Sequence, residues 1–152
     1  MHGVLQVVDL ASGKGLQDAV AAQCIAEGVV EFAPLVTLLV RSAIGSKVVQ
    51  RAAAREHWRE SYVGMVQPDA TVLEGFVDLI YREDDGSLVI VDYKTDDAPD
   101  AALTSRVAYY APQLNAYRSI VKAATDSPTD SPILVFARQG SARSLEVRSR
   151  QD

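Results

Sequence analysis

Cysteine is nearly missing from this chain: Cys24 is the only one in 152 residues. An internal disulfide framework is therefore excluded, as are cysteine-rich zinc sites and iron–sulfur clusters. Long apolar runs are missing too. The longest, around Pro34 to Val40, falls well short of the roughly 20 residues that cross a bilayer. The opening residues, Met1-His2-Gly3-Val4-Leu5-Gln6, lack the basic stretch that begins a signal peptide. These absences lead us to expect a reducing, cytoplasmic setting with no membrane partner. Positive charge is also in deficit, with 15 Lys and Arg against 20 Asp and Glu, a net charge of −5. That is not the footprint of a protein that holds DNA by itself. Any nucleic-acid contact has to rest on a local basic patch or on partner domains.

What is present is the composition of one ordinary domain, 48% hydrophobic and 23% charged. The first half reads as helical. Val4, Leu5, Val7, Val8 and Leu10 form an apolar stripe that ends at Ser12-Gly-Lys-Gly15. A second helix is predicted over Leu16 to Ala26, and a third over Glu31 to Ser42 with Pro34 in its first turn, where proline is tolerated. A fourth is predicted from Ser46, its hydroxyl as N-cap, to about Glu56. Cys24 falls on an apolar helix and reads as core.

The second half reads as strands: Trp58 to Gln67, Val72 to Arg82, then Leu88 to Tyr93. Asp84-Asp85-Gly86 between the last two is a hairpin turn signal. The unbroken apolar run Leu88-Val-Ile-Val91 predicts a strand buried on both faces. Asp97 to Thr104 reads as a loop and Tyr109 to Ala124 as a helix. Two short strands, Ile133 to Ala137 and Leu145 to Arg148, follow a breaker-rich linker. The expected organisation is a single domain over 1–148, helical over 1–56 and sheet-based over 57–148, with a frayed tail over 149–152.

Chemistry gathers at the end of the third predicted strand. Asp78 and Asp92 lie six residues to either side of the hairpin tip, so antiparallel pairing brings them to the same end. Two carboxylates held there repel unless a cation sits between them, and hard oxygen donors suit Mg²⁺ or Mn²⁺. Lys94 shares a strand face with Asp92 through the period of two. Its ammonium can orient a water or meet charge developing on a phosphate oxygen. This is equipment for metal-assisted hydrolysis of a phosphodiester. Lys47, Arg51, Arg55 and Arg59 recur every four residues, a basic row if all four share one helix, and a candidate phosphate track.

The order Gly75-Phe-Val-Asp78, Val91-Asp92-Tyr-Lys94-Thr-Asp96 and Tyr110-Ala-Pro-Gln113-Leu-Asn-Ala-Tyr117 resembles the successive motifs of the PD-(D/E)XK nuclease superfamily. More narrowly, it resembles the RecB/AddA-type nuclease domain at the C-terminus of UvrD-like repair helicases. His2-Gly3, followed by Leu5-Gln6, is similar to the histidine motif on that family's first helix. The resemblance runs from His2 to about Arg138. It implies an α/β restriction-endonuclease-like core: a mixed sheet led by a three-strand meander, flanked by helices, with a helical N-terminal half.

By residue, the resemblance implies that His2, Asp78, Asp92 and the backbone carbonyl of Tyr93 are metal ligands and that Lys94 is the catalytic lysine. Gln113 and Tyr117 would be the helix pair facing the DNA strand, and Glu60 an acid that assists from outside the ligand set. It implies Mg²⁺, with Mn²⁺ as substitute, and no iron–sulfur cluster, since Cys24 stands alone. Single-stranded DNA and helicase motor domains, in the same or a partner chain, are the implied partners. No Walker motif is present, so the chain alone is not expected to be a motor. A catalytically silent module that binds DNA or a partner is the alternative. No helical turn precedes His2, which leads to the expectation of a frayed end or of a chain cut there.

Overall fold

A computed structural model describes residues 1–96 and 98–148. The frayed tail expected over 149–152, and Asp97 at the head of the expected loop, lie outside the described residues. Among the described residues the α-helices are α1 (His2–Val7), α2 (Leu16–Ala26), α3 (Ala33–Ile44), α4 (Lys47–Ala53) and α5 (Leu103–Thr125). The strands are β1 (His57–Val66), β2 (Val72–Arg82), β3 (Leu88–Lys94), β4 (Ile133–Phe136) and β5 (Arg143–Glu146). They form one mixed sheet in the order β1-β2-β3-β4-β5. The antiparallel meander β1-β2-β3 leads it, as expected. The chain then returns through α5, and a parallel bridge joins Leu88 to Thr129 just before β4.

The chain divides into two compact units. One comprises Met1–Ala54, 93–96 and Val135–Ser144. The buried residues of its helices, among them Val4, Leu5, Val20, Cys24, Val40 and Val49, make its core. Helix α1 starts with the Met1 carbonyl accepting hydrogen bonds from the amides of Val4 (3.0 Å) and Leu5 (3.2 Å). Ser46 caps α4 as expected, its hydroxyl accepting from the Val49 amide at 3.3 Å.

The other unit comprises Arg55–Asp92, Ala98–Leu134 and 145–148. Its core sets Val63, Val77, Ile80, Leu88 and Ile90 of the meander against Tyr117, Ile120 and Val121 of α5. Six of the seven residues of β3 are buried, which accounts for its unbroken apolar run. The hairpin tip closes through the Gly86 amide, which donates to the Glu83 carbonyl at 2.9 Å. Gly86 has φ +88°, a conformation that glycine adopts without steric cost.

Several boundaries differ from the expectation. A 3-10 turn over Val30–Phe32 precedes α3, which runs on to Ile44. Helix α4 stops at Ala53, and β1 follows at once from His57. Helix α5 begins at Leu103, inside the predicted loop and well before Tyr109, so Pro112 is interior to it. Proline fits a helix's first turn, which is why the sequence points to a start near Pro112. Leu103, only 6% exposed, anchors an earlier start. Strand β5 spans Arg143–Glu146, two residues ahead of its predicted place.

Candidate active site

The sheet register aligns the acidic residues. Leu79 pairs with Val91 in the β2–β3 ladder, so Asp78 and Asp92 stand at the next step of that register. Asp92 is 5% exposed, whereas Asp78 is half-buried. In the β1–β2 ladder, Arg59 pairs with Leu79 and Ser61 with Val77, which puts Glu60 at the level of Asp78. Glu60 has φ +48°, rare for a residue with a side chain, and it interrupts the ladder at that level. Glu60, Asp78 and Asp92 thus occupy one row across three strands.

Three residues before Asp78, Gly75 lies beneath the ring of Tyr117. A Cβ built on Gly75 meets the Tyr117 hydroxyl and comes within 2.8 Å of two ring carbons. Only glycine leaves room for the ring. The Tyr117 hydroxyl accepts a hydrogen bond from Gln113 Nε2 at 3.0 Å, as their i, i+4 spacing on α5 allows. The Gln113–Tyr117 pair and the strand bearing Asp78 are therefore locked together. Gly75 opens one of the motifs quoted above, yet the motif by itself gives it no role. A glycine inside an otherwise β-forming run was the available signal, because it often marks the close approach of another group.

The last residues of β3 belong with the helical unit. There His2 Nε2 donates to the Tyr93 carbonyl at 2.9 Å, with the two rings tilted at 56°. The amide of Ala137 donates to the Lys94 carbonyl at 2.8 Å, which fixes the strand end, and the Lys94 side chain is half-buried. The spacing of His2 Nε2 and the Tyr93 oxygen is informative. Two neighbouring ligands of an octahedral Mg²⁺, each about 2.1 Å from the ion, lie about 3 Å apart. The hydrogen bond uses the tautomer protonated at Nε2, whereas ligation through that atom uses the other.

Carboxylates, a carbonyl and an imidazole fit a hard divalent ion by donor chemistry. Among the described residues, however, no three His, Cys, Asp or Glu side chains gather closely enough to hold a metal.

The predicted basic row does not form on one helix, because α4 ends at Ala53 and carries only Lys47 and Arg51. Arg55 follows the helix and turns to the hairpin, with Nε 3.3 Å from Glu83 and an Nη 2.8 Å from Asp84. Arg59 lies on β1.

Comparison with known proteins bears on family and fold. The family model described as the PD-(D/E)XK nuclease superfamily matches residues 2–151. A curated relative from Desulforudis audaxviator, one of the subunits of an ATP-dependent helicase/nuclease, is 30% identical over 169 aligned positions, covering 96% of this chain and 13% of the relative. A protein of the same name from Carboxydothermus hydrogenoformans is 35% identical over 79 positions, covering 48% of this chain and 7% of its own length. The chain thus spans only a small part of these relatives. The crystal structure of SSO0001 superposes with a TM-score of 0.52 at 16% identity, over 90% of this chain and 63% of that one, a likeness of fold.

Proposed function

The chain belongs to the PD-(D/E)XK nuclease superfamily, and from that premise we propose that it hydrolyses phosphodiester bonds of DNA with the help of a divalent ion. The observation that carries this reading is the register that runs from the Leu79–Val91 pair toward Asp78 and Asp92. In our reading these two carboxylates hold Mg²⁺, for which Mn²⁺ substitutes, together with the Tyr93 carbonyl and His2. When bound, the ion supplies Lewis-acid help: it makes water a better nucleophile and offsets charge on the phosphate.

The residues of the chain do the rest. Lys94 orients the attacking water and offers its ammonium to the phosphate oxygen on which charge develops. Gln113 and Tyr117, held against Gly75, steady the DNA strand beside the acids. Glu60 acts from outside the ligand set, as a base toward the waters around the ion. The substrate is single-stranded DNA, cut as an exonuclease during repair and recombination. Helicase motor domains feed it, in the same chain or a partner, and the setting is the cytoplasm. The acidic net charge accords with this, because the motor domains would do the gripping.

One observation favours the silent-module alternative: His2 Nε2 is engaged with the Tyr93 carbonyl. Cleavage decides between them. Linear single-stranded DNA and plasmid are incubated with Mg²⁺ or Mn²⁺ and wild type, Asp92→Ala or Lys94→Ala protein. We expect cleavage by wild type alone, lost on chelation. No cleavage by wild type, or equal cleavage by all three, defeats the enzyme reading.

A further inference from the structure

Within the helical unit lies a cavity of about 440 Å³ that none of the residues above explains. Three cations from three elements line it: Arg41 in the last turn of α3, Lys47 at the first position of α4, and Arg143 at the first position of β5. The hydroxyls of Ser141 and Ser144 join them, and no Asp or Glu is among the described residues that line it. In a chain with 20 acidic and 15 basic residues, three cations around one cavity with no acid in its lining run against the composition. The volume is on the scale of small-ligand sites, roughly 300–1,000 Å³.

The chemistry of the lining selects the ligand. Two guanidinium groups, an ammonium and two serines in one lining suit an anion with several acceptor oxygens. A phosphate is such an anion. The described lining has no aromatic side chain on which a base can stack, so the cavity is suited to backbone and not to base. We infer that this pocket holds a phosphate of the polynucleotide strand, independently of sequence. This inference rests on the proposal that DNA is the substrate. It also revises the expected basic row: Lys47 keeps a phosphate-binding part, with Arg41 and Arg143 as its companions in place of Arg55 and Arg59.

The test is binding of a labelled single-stranded oligonucleotide in EDTA, followed by fluorescence anisotropy across a salt series. Wild type is compared with the Arg41→Gln/Lys47→Gln/Arg143→Gln triple variant and with each single variant. Affinity is expected to fall about tenfold in the triple variant, and by part of that in each single one. The slope of log affinity against log salt should drop by about 0.7 for each lost phosphate contact. The loss should be equal for oligothymidine and for mixed sequence. Inorganic phosphate, which carries the same acceptor oxygens, should compete better than chloride at equal ionic strength in wild type, and this advantage should vanish in the triple variant. Affinity and slope unchanged in a folded triple variant would overturn the inference, while wild-type cleavage would leave the nuclease reading standing. Direct binding of inorganic phosphate that the substitutions abolish, with oligonucleotide binding untouched by them, would assign the pocket to free phosphate and overturn it as well. A wild type that neither binds nor cuts DNA defeats both.

Discussion

At the scale of single residues, the Gly75–Tyr117 contact couples fold to function. The Tyr117 ring occupies the space a Gly75 side chain would need, and its hydroxyl is bonded to Gln113. Gly75→Ala should therefore cost about 1–3 kcal/mol through overpacking, measured by urea unfolding. Tyr117→Ala should cost about 3–5 kcal/mol by loss of a buried ring. Because both act on one contact, the double variant should be more stable than the sum predicts; strict additivity would disprove the clash. Titration at the turns supplies a second test. The hydrogen bond from the Ser87 amide holds the Asp85 carboxyl below its ordinary range, and the Thr71 hydroxyl and amide do the same for Asp69. A lowered folded pKa favours the charged form in the folded state. The stability from these bonds is thus present above the ordinary carboxylate pKa and is lost as pH falls through the folded value. Asp85→Asn should flatten the loss of stability below about pH 4, compared with wild type in acid titrations followed by circular dichroism. An unchanged acid limb would remove Asp85 from the account.

At the scale of elements, legibility followed from how local the cause was. Strands β2 and β3 and their turn were readable because alternation, the apolar run and Asp84-Asp85-Gly86 are contiguous signals. Helix α2 was readable because Gly15 and Gly28 bracket it. The early start of α5 was not readable, since it depends on the burial of Leu103 and on tolerance of Pro112, neither of which is a local preference. The packing of Tyr117 on Gly75 was hidden for the same reason, because two distant segments must meet before either residue type makes sense. The α5 case yields a prediction. Pro112 has no amide to donate back along the helix, and interior proline costs up to about 3 kcal/mol relative to alanine. Pro112→Ala should then raise stability by about 1–3 kcal/mol in chemical denaturation, with helix content retained. A neutral or destabilising result would mean that the packing around α5 has adapted to the proline.

At the scale of the whole molecule, the candidate site shows why motif order was informative and geometry was not. Asp78, Asp92 and Lys94 were singled out from strand alternation and the hairpin, which fix register. Whether His2 joins them depends on distant parts of the chain, and in this structure its ring nitrogen is bonded to the Tyr93 carbonyl. Asp92 is buried, beside the level of Asp78, in a protein of net charge −5. A cation bound between these carboxylates would offset their mutual repulsion, so folding and ion binding should be linked. The folded core is hydrophobic and needs no ion, and EDTA alone should leave wild-type protein folded. Added Mg²⁺ or Mn²⁺ should stabilise it by RT ln(1 + [ion]/Kd), about 1.4 kcal/mol when the ion is at ten times its Kd. Asp92→Asn should reduce this increment and raise the stability of the ion-free protein, because one member of the repelling pair is neutral. Thermal melts of both proteins across an ion series read both effects, independently of DNA. A wild-type melt that no divalent ion shifts, together with an Asp92→Asn melt no higher than wild type, would show that the two acids do not form a metal site.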